Sequence, residues 1–350
     1  MRRLLALAAL ALLLTACAAP AEQPVERQFL AMDTAMTFCV YGGENAAAEA
    51  EAEIRRLEGL LSRTAADSAV SRLNERSGQQ VETGGELWRL LEAAAGYSDA
   101  AGGAFDVTIA PVMDAWGFTE ETRQVPSPDL LAERLGQVGM ERVRLAEDGV
   151  SVRLDPGTEV DLGGIAKGYA ADCLRTIFRE AGSPRGWVSL GGNVLAWGTR
   201  PDGDPWRVGV QDPRYPEQQR FVGALGLEDA FAVTSGGYQR YFEQNGVTYH
   251  HILDPATGFP AESGLVSVTV VAPAGEDAPA RTPGNGAMCD AFSTALFVMG
   301  EERALEFWRN GGYDFQMVLV TADGRVVSTS GLEGIFTPEG ESGYAYETVS

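Results

Sequence analysis

Two histidines stand side by side in VTYHHILDPATGFP (residues 247–260), and the 350-residue chain has no others. In an extended run neighbouring side chains point to opposite faces, so His250 and His251 cannot serve one site as a pair. Either is compatible with a structural place in a hairpin, and one of them with proton transfer. Asp254, Thr257 and two glycine turns lie close by in sequence. Lys167 is the sole lysine beside 26 arginines. Drift can leave one lysine, but a compact ammonium also enters confined sites that a planar guanidinium does not fit. It follows Gly163-Gly164 in EVDLGGIAKGYAADCL (159–174), a glycine-to-helix junction whose backbone N–H groups favour anions. The spacing matches neither the phosphate-loop nor the dinucleotide fingerprint, and an ordinary strand–turn–helix accounts for it equally well. In CDAFSTALFVMG (289–300), Asp290 and Thr294 are four apart on one helical face. A carboxylate and a hydroxyl so placed could meet one hard cation, or Asp290 could simply cap the helix.

The elements that must position these residues follow from periodicity. FLAMDTAMTFCVYG (29–42) alternates as a strand, and Ile54, Leu57, Leu60 and Leu61 give 48–62 a helical stripe. A second helix is predicted over 85–101, ending near Gly102-Gly103. Residues 119–135, with Pro126 and Pro128, read as a linker or surface excursion. From 150 onward short strands dominate (VSVRLD, GWVSLG, NVLAWG, WRVGVQ, AFAVTS, LVSVTVVAP), interrupted by a helix at 166–181. Asn245-Gly246 turns a hairpin whose return strand carries both histidines. Residues 274–288 read as loop before a helix that opens at Asp290. Successive strands with a few long helices indicate an α+β fold with largely antiparallel sheet.

The first residues, MRRLLALAALALLLTACAAP, combine a charged start with an apolar stretch too short to span a bilayer, so residues 1–16 read as a secretory signal peptide. Small residues before Cys17 match a lipobox, making Cys17 the expected lipidated first residue of the mature chain. Residues 17–27 then form a tether, and 28–350 the functional domain. Without the signal segment the net charge is −24, which argues against nucleic acid and anionic lipid as partners. Cys39, Cys173 and Cys289 are an odd, scattered set, without the spacing of a disulfide framework or a metal site.

Taken in order, eight stretches resemble the ApbE family of FAD:protein FMN transferases: MDTAMTF, DSAVSRLN, GGAFDVTIAPVMDAWGF, VDLGGIAKGYAAD, VSLGGNV, TSGGYQRYF, HHILDPATGFP and CDAFSTALFVMG. The resemblance extends over about residues 29 to 330. The resemblance implies a T-fold-like architecture with FAD in a cleft between two lobes. It implies flavin contacts at Met32, the run Ala104-Phe105-Asp106, Asp161, Lys167 and Leu253. It also implies Mg²⁺ ligands at Asp290, Thr294, the Gly164 carbonyl and Ser293. One place departs from the family: Thr64 stands where many members have an aromatic residue expected to pack on the flavin, and Tyr238 or Phe105 could cover the ring instead.

The activity so implied is Mg²⁺-dependent transfer of FMN from FAD to a Thr or Ser hydroxyl of an acceptor protein, with release of AMP. His251 is then the expected general base, with a rate limb near the ordinary histidine pKa, and His250 a packing residue. Expected acceptors are extracytoplasmic electron-transfer subunits (Rnf- or Nqr-like, or FMN-binding domains), met by an enzyme lipid-anchored to the cell membrane on its extracytoplasmic side, at the periplasmic face or the cell surface. Two alternatives remain: a Mg²⁺-dependent FAD pyrophosphatase, with water in place of the hydroxyl, and a non-catalytic flavin-binding lipoprotein.

Overall fold

Strand residues 36 to 41 alternate between two cores. Met36, Phe38 and Val40 join the larger apolar core, whereas Cys39 and Tyr41 join a second one on the opposite side of the sheet. The same alternation runs through the strand at 316–321: Met317 and Leu319 face the first core, Val318 and Val320 the second. A sheet apolar on both faces must be covered on both. The computed structural model, which describes residues 23–42, 44–119, 122–275 and 279–350, shows how.

Nine strands form the central sheet, in the order Val25–Ala31, Thr34–Tyr41, Arg185–Leu190, Asn193–Trp197, Ala230–Gly236, Leu265–Pro273, Gln316–Thr321, Arg325–Thr329 and Ala345–Val349. Every neighbouring pair is antiparallel except the last, which is parallel. Helices Glu44–Leu61, Ala166–Glu180 and Asn285–Met299 supply much of the larger core on one face. The three-stranded sheet of Trp206–Gln211, Phe221–Leu227 and Phe336–Pro338 covers the other. The expected antiparallel-rich α+β architecture is therefore present. A third, smaller core joins Val112, Trp116, Phe118, Leu131 and Leu253, and Trp116 Nε1–H donates to the Gly258 carbonyl at 2.7 Å. That bond ties the segment after Phe105 to the loop that follows the histidines.

Several boundaries differ from the sequence reading. The run 29–42 is two strands, because Met32 and Asp33 both adopt positive φ (49° and 57°) and close a two-residue hairpin between Ala31 and Thr34. Such turns favour Asn-Gly, so Met-Asp gave no signal. The sheet takes up the chain at Val25, inside the segment assigned to the tether. Pro128 opens the helix Pro128–Leu135 with Ser127 as its N-cap, so among the described residues of this stretch 122–127 are irregular and 128–135 are helical. Proline suits a first helical position, where its missing N–H is not needed. The helix assigned to begin at Asp290 starts at Asn285, and Asp290 lies one turn inside it. Its capping carboxylate is Asp172, which accepts N–H bonds from Gly284, Gly286 and Ala287 at 2.8, 2.8 and 2.9 Å. The signal segment and Cys17 lie outside the described residues.

Helices Ala166–Glu180 and Asn285–Met299 meet backbone to backbone. A methyl added at Gly168 would sit 2.1 Å from the Gly286 carbonyl oxygen and 2.7 Å from Asp290 Cβ. Gly168→Ala should therefore force the helices apart and destabilise the fold by about 3 kcal/mol, the upper part of the overpacking range. Gly59, exposed in helix Glu44–Leu61 with no neighbour within 4 Å, is the control. Gly59→Ala should stabilise by about 0.5–1 kcal/mol through helix propensity. Urea midpoints of the two variants should move in opposite directions.

Candidate active site

The helix crossing brings three parts of the chain together. Gly168 donates its N–H to Asp290 Oδ2 at 2.9 Å, fixing a carboxylate that is only 4 % exposed. One turn further on, half-buried Thr294 comes beside the Gly163-Gly164 turn. A methyl on Gly164 would lie 3.6 Å from Thr294 Oγ1 and 3.1 Å from Phe105 Cε2. Only glycine keeps that space open for a ligand, and Phe105, from the Ala104-Phe105-Asp106 run, forms its wall. Asp290, Thr294 and Gly164 thus share one locus, as the glycine turn is carried there by the start of helix Ala166–Glu180.

Ser293 stands behind Thr294. It is fully buried, its hydroxyl donates to the Asp290 carbonyl at 2.9 Å, and Ser235 Oγ lies 2.7 Å from it. Ser235 also lies 3.2 Å from Thr294 Oγ1. The segment TSGGYQRYF carries the family resemblance without marking Ser235. Spacing could not reveal it, because Ser235 ends a strand 58 residues from Ser293.

The other expected contact residues are held in different ways. Lys167 Nζ reaches back one turn to the Gly163 carbonyl at 2.9 Å. Asp161 accepts the Gly163 N–H at 2.7 Å, holding the turn from below. Asp106 Oδ1 accepts both the N–H and the hydroxyl of Thr108, at 2.7 and 2.6 Å, and burial raises its carboxyl pKa. Met32 sits at the strained hairpin tip, where its N–H donates to Glu58 Oε1 at 2.6 Å. Leu253 is buried in the third core, so a ligand would meet its backbone rather than its side chain. Thr64 is exposed and bonded to Ser62, leaving Phe105 as the aromatic ring at Gly164.

The histidines part company at the end of strand Val247–His250. His250 packs edge-on against Phe297, with centroids 5.4 Å apart, and its Nε2 lies 3.3 Å from the Ala261 carbonyl. His251 is half-buried, and its Nδ1 lies 3.2 Å from the Arg240 carbonyl. A carbonyl only accepts, so Nδ1 carries the proton and Nε2 is left with its lone pair. Desolvation, then the Arg240 charge, with lesser contributions from His250 and Lys167, pushes the His251 pKa from 6.5 down to about 3.

A second acidic cluster, Glu53, Glu86 and Cys173, lies elsewhere on the helical face. Arg56 binds both carboxylates, at 2.7 and 2.6 Å, and the Tyr169 hydroxyl donates to Glu86 at 2.8 Å. Burial holds the Cys173 thiol well above its ordinary pKa. Donors already occupied by a guanidinium and a protonated thiol suit an internal ion pair rather than a metal. By contrast, Asp290, Thr294 and the Gly164 backbone are oxygen donors without a cationic side-chain partner among the described contacts. That set fits a hard divalent ion.

A model of the ApbE family matches residues 32–319. The chain is 31 % identical over 289 residues to a FAD:protein FMN transferase of Haemophilus influenzae, covering 81 % of this chain and 80 % of that protein. It is 33 % identical over 331 residues to one from Vibrio cholerae, covering 92 % and 94 %. Among solved structures, the ApbE protein of Thermotoga maritima matches with a TM-score of 0.81 at 32 % identity, over 89 % of this chain and 99 % of that one. The flavin transferase ApbE from Vibrio cholerae matches with a TM-score of 0.76 at 27 % identity, over 90 % and 99 %.

Arg63 is a further residue that the sequence reading passed over, next to Thr64. Its largely buried guanidinium lies 2.7 Å from Asp114, 3.6 Å from Glu159 and 3.6 Å from Asp161. Arg63→Met should leave three carboxylates facing one another and loosen the Asp161–Gly163 turn. Two of the partners are more than a third exposed, so the cost should be about 2 kcal/mol, below that of a fully buried pair. Adding Asp161→Asn to Arg63→Met should recover part of it, read as a shift in urea midpoint.

Proposed function

The chain belongs to the ApbE family, and on that premise we propose that it transfers the FMN moiety of FAD to a Thr or Ser hydroxyl of an acceptor protein, releasing AMP. The observation that carries this reading is the convergence of Asp290, Thr294 and the Gly164 turn at one locus, with Lys167 in the next helix reaching back to that turn. A hard divalent ion held there by Asp290, Thr294 and the Gly164 carbonyl would neutralise the pyrophosphate and stabilise the departing phosphate. The donor chemistry favours Mg²⁺ over zinc.

The remaining work falls to the chain's own residues. Lys167 offers its ammonium to the flavin nucleotide, displacing or sharing its bond to the Gly163 carbonyl. Asp161 holds the glycine turn, while Met32, the Ala104–Asp106 run and the Leu253 backbone bound the flavin. His251 Nε2 takes the acceptor hydroxyl's proton as its oxygen bonds to the FMN-side phosphorus. The bond from that phosphorus to the bridging oxygen breaks, and the oxygen leaves with AMP. FMN remains on the acceptor as a phosphodiester. Ser293, expected as a further ligand, is fully buried beside Thr294 and donates its proton to the Asp290 backbone carbonyl, which supports the turn of helix that carries both other donors.

Cys17 as a lipid anchor would hold the enzyme at the extracytoplasmic membrane face. The fitting acceptors are membrane-associated electron-transfer subunits exposed there, carrying an Asp-x-x-(Ser/Thr)-Gly-Ala-(Ser/Thr)-like motif. Incubation with FAD, Mg²⁺ and such an acceptor distinguishes the readings. Transfer yields a covalently fluorescent acceptor plus AMP; free FMN plus AMP would make the enzyme a pyrophosphatase, and neither product would make it a flavin carrier.

The lowered His251 pKa speaks for a rate limb below the ordinary histidine value of 6.5. A base must be unprotonated to act, and its protonated fraction grows only as pH falls through the folded-state value. Transfer should therefore persist through pH 6.5 and decline only toward His251's value of about 3, as far as the fold survives. His251→Ala should bind FAD normally and lose roughly 10²–10⁴-fold in rate. Full activity in His251→Ala would remove it from the reaction.

A further inference from the structure

The three hydroxyls behind the metal locus have only one consistent proton arrangement. Ser293 Oγ lies 2.9 Å from the Asp290 carbonyl, which only accepts, so Ser293 gives its proton there. Its 2.7 Å contact with Ser235 must then be a bond donated by Ser235. Ser235 has used its single proton, so the 3.2 Å contact with Thr294 must be donated by Thr294. The chain of donors runs Thr294 to Ser235 to Ser293 to the Asp290 backbone. Every proton points inward, and the lone pairs of Thr294 Oγ1 are left facing the Gly164 side.

From this we infer that Ser235 is a positioning residue for the cation site, fixing the Thr294 hydroxyl with its lone pairs outward. This rests on the reading of Asp290 and Thr294 as Mg²⁺ ligands. A neutral hydroxyl ligates a cation only through a lone pair, and coordination makes its proton more acidic and in greater need of an acceptor. Ser235 is that acceptor. It is anchored at the end of a central-sheet strand, and its own donor is committed to a fully buried serine. Without it, the Thr294 hydroxyl turns freely and its proton competes for the same space as the ion. Oriented ligands of this kind lose about 10–100-fold in metal affinity when their supporting partner is removed.

The test is direct binding of Mn²⁺, as a stand-in for Mg²⁺, to the purified protein with FAD and no acceptor, the free ion being counted by electron paramagnetic resonance. Ser235→Ala should weaken Mn²⁺ binding about 10-fold or more, while FAD affinity measured without metal stays near wild type. Ser235→Thr, which keeps a hydroxyl on the same strand, should restore most of the loss; circular dichroism confirms that each variant is folded. Asp290→Asn provides the separate check on the underlying reading. If Asp290→Asn loses the ion but folded Ser235→Ala binds it as wild type does, the positioning role is overturned. If Asp290→Asn also binds Mn²⁺ normally, the metal reading falls and the role of Ser235 with it.

Discussion

The close approach of two helices at Gly168 and Gly286 is the constraint on which the rest of the site depends. Side chains at either crossing point would occupy space already held by the opposing backbone. Because the backbones touch, the Gly168 N–H reaches the Asp290 carboxylate, and the turn that precedes Gly168 is held against Thr294. Asp172 completes the arrangement from the same helix, accepting three N–H groups at the start of the partner. Two helices, each buried on the same face of the central sheet, thus fix the locus together with the short glycine turn that leads into one of them. A site placed on rigid elements holds its oxygen donors in position without needing a ligand to organise them.

The loops add groups whose electrostatics follow from how they are tied down. His251 keeps a free Nε2 because the Arg240 carbonyl fixes the proton on Nδ1, and its surroundings disfavour the charged form. A base already neutral near physiological pH needs no proton loss before it acts. His250, one residue away, makes a packing contact with Phe297 instead. The Trp116–Gly258 bond and the small aromatic core hold the segment that follows the histidines to helix Ala110–Trp116, a few residues after Phe105 in the chain.

Much of this was legible in the sequence because the patterns were local. Strand alternation, the Asn245-Gly246 turn and the i, i+4 pair Asp290/Thr294 all follow from spacing within a few residues. The eight stretches in register carried the family, and with it the partnership of Gly164 with a helix more than a hundred residues away. What escaped was either atypical or non-local. The Met32-Asp33 hairpin uses two non-glycine residues at positive φ, a conformation that their types do not announce. Asp290 was read as a helix start because the cap of that helix comes from Asp172 on another helix. Ser235 and Arg63 act on residues distant in sequence, and no single-chain spacing links them to their partners.

The central claim is that the helix crossing assembles a single cation site from Asp290, Thr294 and the Gly164 turn. Its most direct measurement is anomalous diffraction from crystals grown with Mn²⁺ and FAD. The account predicts an anomalous peak within bonding distance of the Asp290 carboxylate, the Thr294 hydroxyl and the Gly164 carbonyl oxygen. A peak among Glu53, Glu86 and Cys173 instead, or no peak at the helix crossing, would contradict it.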